Sequence, residues 1–369
     1  MKRIDRLILG ELFGPWAFGV AIFTVLIMAG TYLFKITDFV VQGVGLATVA
    51  ELSALLLPGI MAKTFPMAML LSALLSFGRL SGDSEVVALK AAGSSLARIL
   101  TPVAGFGFGV SALAFGFNEL IVPAASLRAT TLQQEIARQL NGSTRQATFF
   151  PSYENGKIVA TVQALDFDFG ARTLKNALVT VFDKKAEPTF YLFANELNFT
   201  NDKEWRIRDG AWLTSFDGQK VAQFTGDIWP TDVPKQTFSP EDLLAANLRD
   251  LDSLSMAQIT EQINKAKANP LFDKGQIANL EFGYWNKIAV PLAAVIFALV
   301  GAPLAIRNHR TSAASGFWMS VIIIFGYMML ANFMAVWSRG GVLPAAVASF
   351  MPIVIGGVVA GILMRVKNT

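Results

Sequence analysis

Lys35 and Lys63 are the two residues whose surroundings most restrict what they can do. Lys35, with Asp38 close behind it, follows the uncharged run Leu12 to Phe34, and Lys63 lies inside the apolar run Leu52 to Phe77, between Pro58 and Pro66. A cation at the centre of a bilayer costs at least ~2.5–3.5 kcal/mol unless it is paired or faces a wet cavity. Lys63 is therefore expected to line an interior. Lys35 has two readings: its stem snorkels toward the headgroups, or its amine meets an anionic lipid head. Both lysines are candidates for binding a lipid, and neither implies catalysis.

A second concentration of chemistry is the polar stretch Gly78 to Gly93, GRLSGDSEVVALKAAG, between two apolar runs. Asp83 is placed to cap a short helix over 83–93. Glu85 falls in its first turn, where a carboxylate suits the helix dipole, and Gly93 falls at its C-terminal end. Val86, Leu89 and Lys90 share a face at three- and four-residue spacing. Such a helix is short, lacks aromatics and carries a single Lys, so it would bind a lipid surface weakly. A socket on another protein is the better fit.

Other chemistry is excluded. The chain has no Cys and one His, His309, which removes disulfides, thiolate metal sites, a His-based zinc site and a Ser/His/Asp triad. It has no G-x-x-x-x-G-K-[ST] loop, so it cannot hold a nucleotide in that manner. Gly105-x-Gly107-x-Gly109 lies within an apolar span; Gly105 with Gly109, and Gly357 with Gly361, have the spacing of helix-packing pairs. Asp166 and Asp168 share one face of a predicted strand, where a solvated face is expected.

The elements that must carry these residues follow from composition. Of the 369 residues 53% are hydrophobic and only 16% charged, with a mean hydropathy of +0.47, which is a membrane protein's balance. The charges are sparse before Asn118 and after Lys287 and frequent between. Net charge +4 is scattered at span ends and among acids, without the one-sided stripe that nucleic acid demands. Six apolar runs are long enough to span: Leu12 to Phe34, Leu52 to Phe77, Ile99 to about Val122, Ile288 to Ile306, Ser312 to Trp337 and Gly341 to Met364. A cleaved signal peptide is disfavoured, because the first run is too long and no A-x-A-like site follows it. Lys2, Arg3, Arg6, Arg79, Lys90, Arg98, Arg307, Arg310, Arg365 and Lys367 fall on one side. Lys35 and Arg339 fall on the other. The positive-inside rule then puts both termini and the 78–93 loop in the cytoplasm and the central domain outside.

Within about Pro123 to Lys287 the runs Gln146 to Tyr153, Lys157 to Phe169, Thr173 to Asp183, Pro188 to Leu197, Trp205 to Phe216 and Lys220 to Trp229 read as strands. Turn signals separate them at Glu154-Asn155-Gly156, Asp209-Gly210 and Asp217-Gly218. A sandwich or jelly roll is expected. Ile158 to Leu165 and Thr189 to Ala194 are apolar on both faces, which fits either packing on both sides or a lipid-binding groove. Helical patterns return at Glu241 to Leu248 and at Ser255 to Lys267, with Ser255 as N-cap. The fold class is thus an α-helical membrane protein with six transmembrane helices plus an extracytoplasmic all-β jelly-roll-like domain inserted between helices 3 and 4. Its parts are 1–122 (helices 1–3, with the 83–93 helix), 123–286 (the β domain and a helical return) and 287–369 (helices 4–6).

Several of these residues carry a resemblance. Arg6-Leu7 with the span ending Lys35-Ile-Thr-Asp38, the prolines Pro58 and Pro66, Phe77-Gly78-Arg79-Leu80 through Ser84-Glu85 to Ala92-Gly93, and Trp285-Asn-Lys287-Ile-Ala-Val-Pro291-Leu292-Ala293 followed by Ala302-Pro303 resemble the LptF/LptG (YjgP/YjgQ) family. The resemblance covers essentially the whole chain and is weakest in the β domain. It implies a permease subunit of the ABC transporter that extracts lipopolysaccharide from the bacterial inner membrane, six helices with a periplasmic jelly roll, and a coupling helix between helices 2 and 3. The implied partners are a dimer of the ATPase LptB, which would carry the ATP and Mg; a second LptF/LptG-type subunit, or this chain as a homodimer; and LptC/LptA-like periplasmic proteins. The chain itself would bind no cofactor and is not an enzyme. The family's coupling-helix glutamate corresponds to Glu85, and its basic residue at the outer end of the first helix to Lys35. Lys63 matches no family position, and its role rests on the cost of burial. A secondary transporter would show more intramembrane carboxylates and two related halves, and a non-transporting envelope scaffold or sensor leaves the 83–93 helix without a purpose.

Overall fold

The computed structural model describes residues 2–368 except 140–142, 145–147, 155–156, 169–170, 184–186, 201–203, 216–220, 225–228, 232, 234–250, 269–273 and 307–312. The turns at 154–156 and 217–218, the helix at 241–248, Arg307, His309 and Arg310 of the sequence reading fall wholly or partly outside these. Six helices are long and apolar enough to cross a membrane, and an antiparallel sheet lies between the third and fourth. The membrane helices begin earlier or run on longer than their apolar cores. Helix α1 covers Lys2–Val41 and α2 Leu46–Gly82, about 60 and 55 Å at 1.5 Å per residue, roughly twice the hydrocarbon thickness.

What ends a helix here is a glycine rather than the end of hydrophobicity. After α1, Gly43 has φ +90° and its N–H bonds the Val40 carbonyl, while the Val44 N–H bonds Phe39. This double bond to the last turn is the Schellman stop, which needs a left-handed residue. The same pair of bonds closes the short helix α3, Glu85–Ala91, at Gly93. The third span is α4, Leu96–Gly116, continued by a π turn, Phe117–Ile121, and by α5, Val122–Gln139. Residues 123–139, expected in the β domain, are therefore helical: Pro123 directly follows the π turn, where the hydrogen-bond register is already altered and the loss of one N–H is accommodated. Arg128, between Glu51 at 3.2 Å and Glu135 at 3.7 Å, ties this extension to α2.

The sheet joins β1 (Ser143–Thr144), β2 (Thr148–Glu154), β3 (Lys157–Asp168), β4 (Thr173–Phe182), β5 (Pro188–Phe199), β6 (Trp205–Ser215) and β7 (Val221–Phe224). From β3 to β7 each strand pairs with the next, antiparallel, and β1 and β2 both pair with β3. Ala160, Val162, Leu174, Val179, Leu192, Leu197, Ile207 and Ala211 make its buried face. The runs expected to be apolar on both faces alternate only in part: Leu165 and Phe193 are exposed beside buried Ala164 and Leu192, whereas Ala160, Thr161 and Val162 are buried in succession and 189–191 are all half-buried. Asp209-Gly210, expected as a turn, is a bulge inside β6, with φ +67° and +90° and Asn195 Nδ2 donating to the Asp209 carbonyl at 3.1 Å. Asn176, also at positive φ, is skipped in the β4–β5 ladder opposite Asn195. Local chemistry allows Asp-Gly either a turn or a bulge, and pairing decides. Asp166, Lys175, Glu196 and Arg208 stand in one cross-strand row of alternating sign, as a solvated face would.

After the β domain come a 3₁₀ turn, Leu251–Ser253, α6 (Met256–Ala268), α7 (Lys274–Ala305), α8 (Ala313–Arg339) and α9 (Ala345–Asn368). Ser255 caps α6 in a reciprocal box: its Oγ accepts from the Gln258 N–H at 3.2 Å and its N–H donates to Gln258 Oε1 at 2.8 Å. That pairing is the signature of a helix start. Helix α7 starts well before the expected Ile288, because Lys274 to Lys287 holds no Pro and only two Gly, Gly275 in the first turn and Gly283.

The membrane core is built where α2 and α7 lie side by side, with Phe65, Met69, Leu70, Phe77, Ala294, Phe297 and Ala298 buried together. Small residues set the separation. A Cβ on Gly301 would come within 2.9 Å of Ala73 Cβ, on Gly107 within 3.1 Å of Ala298 Cβ, and on Gly19 within 3.1 Å of Ala68 Cβ. The packing pairs expected at Gly105/Gly109 and Gly357/Gly361 are corrected by this. Gly105, Gly109 and Gly361 have nothing within 4 Å and Gly357 only Ile296 Cδ1 at 3.9 Å, while neighbouring Gly107 and Gly356 make the close approaches. Spacing finds a small-residue stripe, and the rotation of the helix selects which member of it packs. Hydroxyls bridge α1 and α2, from Ser72 to the Leu12 carbonyl at 2.6 Å and from Ser76 to Glu11 at 2.7 Å. Gly301→Val should lower the stability of the detergent-solubilised protein by about 1–3 kcal/mol through overpacking, whereas Gly105→Ala should be neutral or slightly stabilising; thermal melting of the two variants checks this.

Candidate functional site

One end of the bundle gathers the cations and the short helix. Arg98 pairs with Asp5 at 2.8 Å, Arg79 with Glu11, Lys90 Nζ donates to the Lys367 carbonyl at 2.8 Å, and Lys367 Nζ to the Ile306 carbonyl at 2.7 Å. The start of α1, helix α3, the end of α7 and the end of α9 therefore meet there. Helix α3 is shorter than the sequence suggested. Asp83 does not cap it: Asp83 is the C-cap of α2, its N–H bonded to the Arg79 carbonyl. Ser84, at φ +61°, precedes α3 and makes no side-chain cap bond. With α2 running to Gly82, two residues remain for the turn, and that forces one of them into the left-handed region.

The face of α3 expected to serve a partner points the other way. Val86 is 1% exposed against the core, Leu89 packs beside it, and Lys90 reaches across to α9. The outward face holds Val87, 62% exposed, with Ala88 and Ala91, while Glu85 is half-buried at the helix start. Gly93 closes the helix.

The second site is a cavity of about 720 Å³ walled by α1, α2, the π turn, α5, the 3₁₀ turn, α7 and α8. Lys35 and Lys63, far apart in sequence, both line it. Ile27, Leu55, Ile60, Met67, Phe297 and Met328 supply apolar wall, and Asn118, Asn286, Asn332 and Tyr32 supply hydrogen-bonding groups. Lys63 pairs with Asp252 of the 3₁₀ turn at 2.7 Å, so the cation predicted to need an interior partner has one that arrives from the end of the β domain.

Sequence reasoning missed the residues that build this corner. Lys287, which the sequence marked as the edge of the fourth span and as part of the family motif but gave no partner, is 4% exposed. Its amine donates to the Asn118 carbonyl and Oδ1 at 3.3 and 3.0 Å and to the Asp252 carbonyl at 2.8 Å. Glu119 accepts the Met256 N–H on both oxygens, at 2.9 and 3.0 Å, at the start of α6 where a carboxylate meets the positive end of the helix. Asn118 and Glu119 lie on the π turn, and such turns mark altered helix register, often at functional sites. The available signal was an Asn-Glu pair at the end of one span and a Lys at the start of another, each needing a buried partner.

The sequence pattern of the family described as "Lipopolysaccharide export system permease LptF/LptG" matches residues 6–366. The chain belongs to the LptF/LptG family. Among curated proteins it is similar to the lipopolysaccharide export system permease protein LptG of Haemophilus influenzae, 24% identical over 258 residues, which are 68% of this chain and 66% of that protein. The chain thus matches just under two thirds of that relative's length. Six apolar helices, an antiparallel sheet between the third and fourth, and this membership make it a multi-pass inner-membrane permease-family protein. In this LptF/LptG chain, Lys287 is what anchors the segment returning from the β domain. Lys287→Met should leave buried acceptors without a donor and destabilise the corner by about 2 kcal/mol, read as faster amide exchange at residues 254–259.

Proposed function

We propose that this chain is the membrane subunit of an ATP-driven exporter that draws lipopolysaccharide, or a related phosphorylated glycolipid, out of the inner membrane and passes it to the β domain. The observation that carries the reading is the cavity: it brings Lys35 and Lys63 together within apolar walls, complementary to a ligand with anionic headgroups and acyl chains. Exposing acyl chains to water costs ~0.8 kcal/mol per CH₂, on the order of tens of kcal/mol for a many-chained lipid. Extraction therefore needs an energy source, and this chain's sequence has no nucleotide-binding loop of its own.

A separate LptB-like ATPase dimer, holding ATP and Mg, supplies that energy through α3. Both termini and α3 lie in the cytoplasm and the β domain in the periplasm, as the distribution of Lys and Arg between the two ends favours. The ATPase meets the outward face, Val87, Ala88 and Ala91, with Glu85 at its edge. Val86, Leu89 and Lys90 transmit the push: Val86 and Leu89 pack on the core, and Lys90 holds the end of α9. The relatively exposed apolar surfaces of α1, α8 and α9 leave room for a second LptF/LptG-type subunit, or a second copy, to complete the cavity. LptC/LptA-like proteins continue the sheet outward.

Val87→Glu places a charge in the centre of the docking face and should weaken ATPase association by about 2 kcal/mol, roughly thirtyfold; Glu85→Lys should likewise reduce it. The amount of ATPase recovered on the tagged chain, alongside lipid release in a reconstituted assay, checks both. Undiminished recovery with intact export in the two variants would show the docking reading to be wrong.

A further inference from the structure

The Lys63–Asp252 contact differs in kind from the Lys287 node beside it. Lys287 is sealed from solvent, with its donors spent on two carbonyls and an amide. Lys63 and Asp252 are 47% and 46% exposed, at 2.7 Å from one another on the wall of the cavity. A half-exposed ion pair is exchangeable, because an arriving anion can reach the amine and water can take up the carboxylate.

We infer that Asp252 is a resident counter-anion that sets the anion selectivity of the cavity, holding Lys63 until a phosphate of sufficient charge displaces it. The inference rests on the lipid-binding reading above. Asp252 holds the Lys63 amine at the wall of the cavity. It also raises the threshold for entry. A phosphate monoester, carrying about −1.5 to −2 at neutral pH, out-competes a carboxylate for the amine. A phosphodiester headgroup carries a single negative charge at most and gains little by the exchange. Selectivity then comes from a repulsive element beside the attractive one, and it rejects the ordinary phospholipids that surround the protein in excess.

The fold lets this exchange happen without dismantling the wall. Lys287 grips the backbone carbonyl of Asp252, and Glu119 holds the Met256 N–H four residues on. The carboxylate can swing away while the segment stays in place. Asp252 is thus a specificity residue acting through Lys63, and its neighbours on the π turn and α7 are the fixed frame.

The test uses the full chain, tagged and purified from its own membrane with the subunits that accompany it, and measures binding of diphosphoryl lipid A, of its dephosphorylated analogue and of phosphatidylglycerol. Asp252→Asn should tighten binding of the diphosphoryl lipid about two- to fivefold, the worth of a half-exposed pair. It should tighten phosphatidylglycerol at least as much, so that discrimination falls, and leave the dephosphorylated analogue unchanged. Lys63→Gln should weaken the diphosphoryl lipid, and the double variant should match Lys63→Gln alone. Amide protection over residues 251–256 should survive in Asp252→Asn, because Lys287 bonds the backbone. If Lys63→Gln weakens binding but Asp252→Asn changes neither affinity nor discrimination, the selectivity role is overturned and the lipid-binding reading stands. No effect of Lys63→Gln overturns both. Loss of protection in Asp252→Asn would make its side chain a structural strut and also overturn the inference.

Discussion

A buried ammonium in a membrane bundle dictates its surroundings, and in this protein Lys287 does so. A π turn that presents Asn118 and a returning segment that presents the Asp252 carbonyl satisfy its donors. Three parts of the chain, the outermost 169 residues apart, are thereby locked at one point: the end of the third span, the exit of the β domain and the start of the fourth span. The cavity wall, the position of Asp252 opposite Lys63 and the start of α6 under Glu119 all follow from that lock.

The opposite end of the bundle uses the same economy with weaker forces. Half-exposed pairs such as Arg98 with Asp5, and amine-to-carbonyl bonds from Lys90 and Lys367, join four helix ends that hydrophobic packing alone would leave free to slide. Helix α3 sits on this platform with its apolar side inward. Between the two ends, close approaches at Gly19 and Gly301 let α2 serve as the shared spine of the bundle, and Gly107 brings α4 against α7. Helix α3 is thereby joined to helices that also line the cavity, α2 directly and α7 through Lys90, α9 and Lys367.

How legible this was in the sequence varied with the range of the interaction concerned. The strands at 157–168, 173–182 and 188–199 fall within two residues of their expected bounds, since β-rich runs between turn residues are a local signal. Asp209-Gly210 misled because positive φ is local information, whereas turn or bulge depends on what the neighbouring strand offers. The stripes at Gly105/Gly109 and Gly357/Gly361 misled for a similar reason: spacing does not say which way a helix faces. Val86, Leu89 and Lys90 were correctly grouped on one side of α3, but a helix seven residues long could not say which side meets the bundle.

The amino-acid sequence alone determined the number of spans, the presence and place of the sheet, the asymmetry of positive charge and the family resemblance. All of these rest on composition, on short-period patterns and on matched residues that read along the chain. Only the tertiary structure decided that Lys35 and Lys63 share one cavity, that Asp252 answers Lys63, and that Lys287, Asn118 and Glu119 form the corner between them. These are contacts between residues distant in the chain, and their energy comes from desolvating a charge against particular acceptors. No local pattern encodes that, because the need for a partner is visible in a single residue but the partner's identity is a property of the packed bundle.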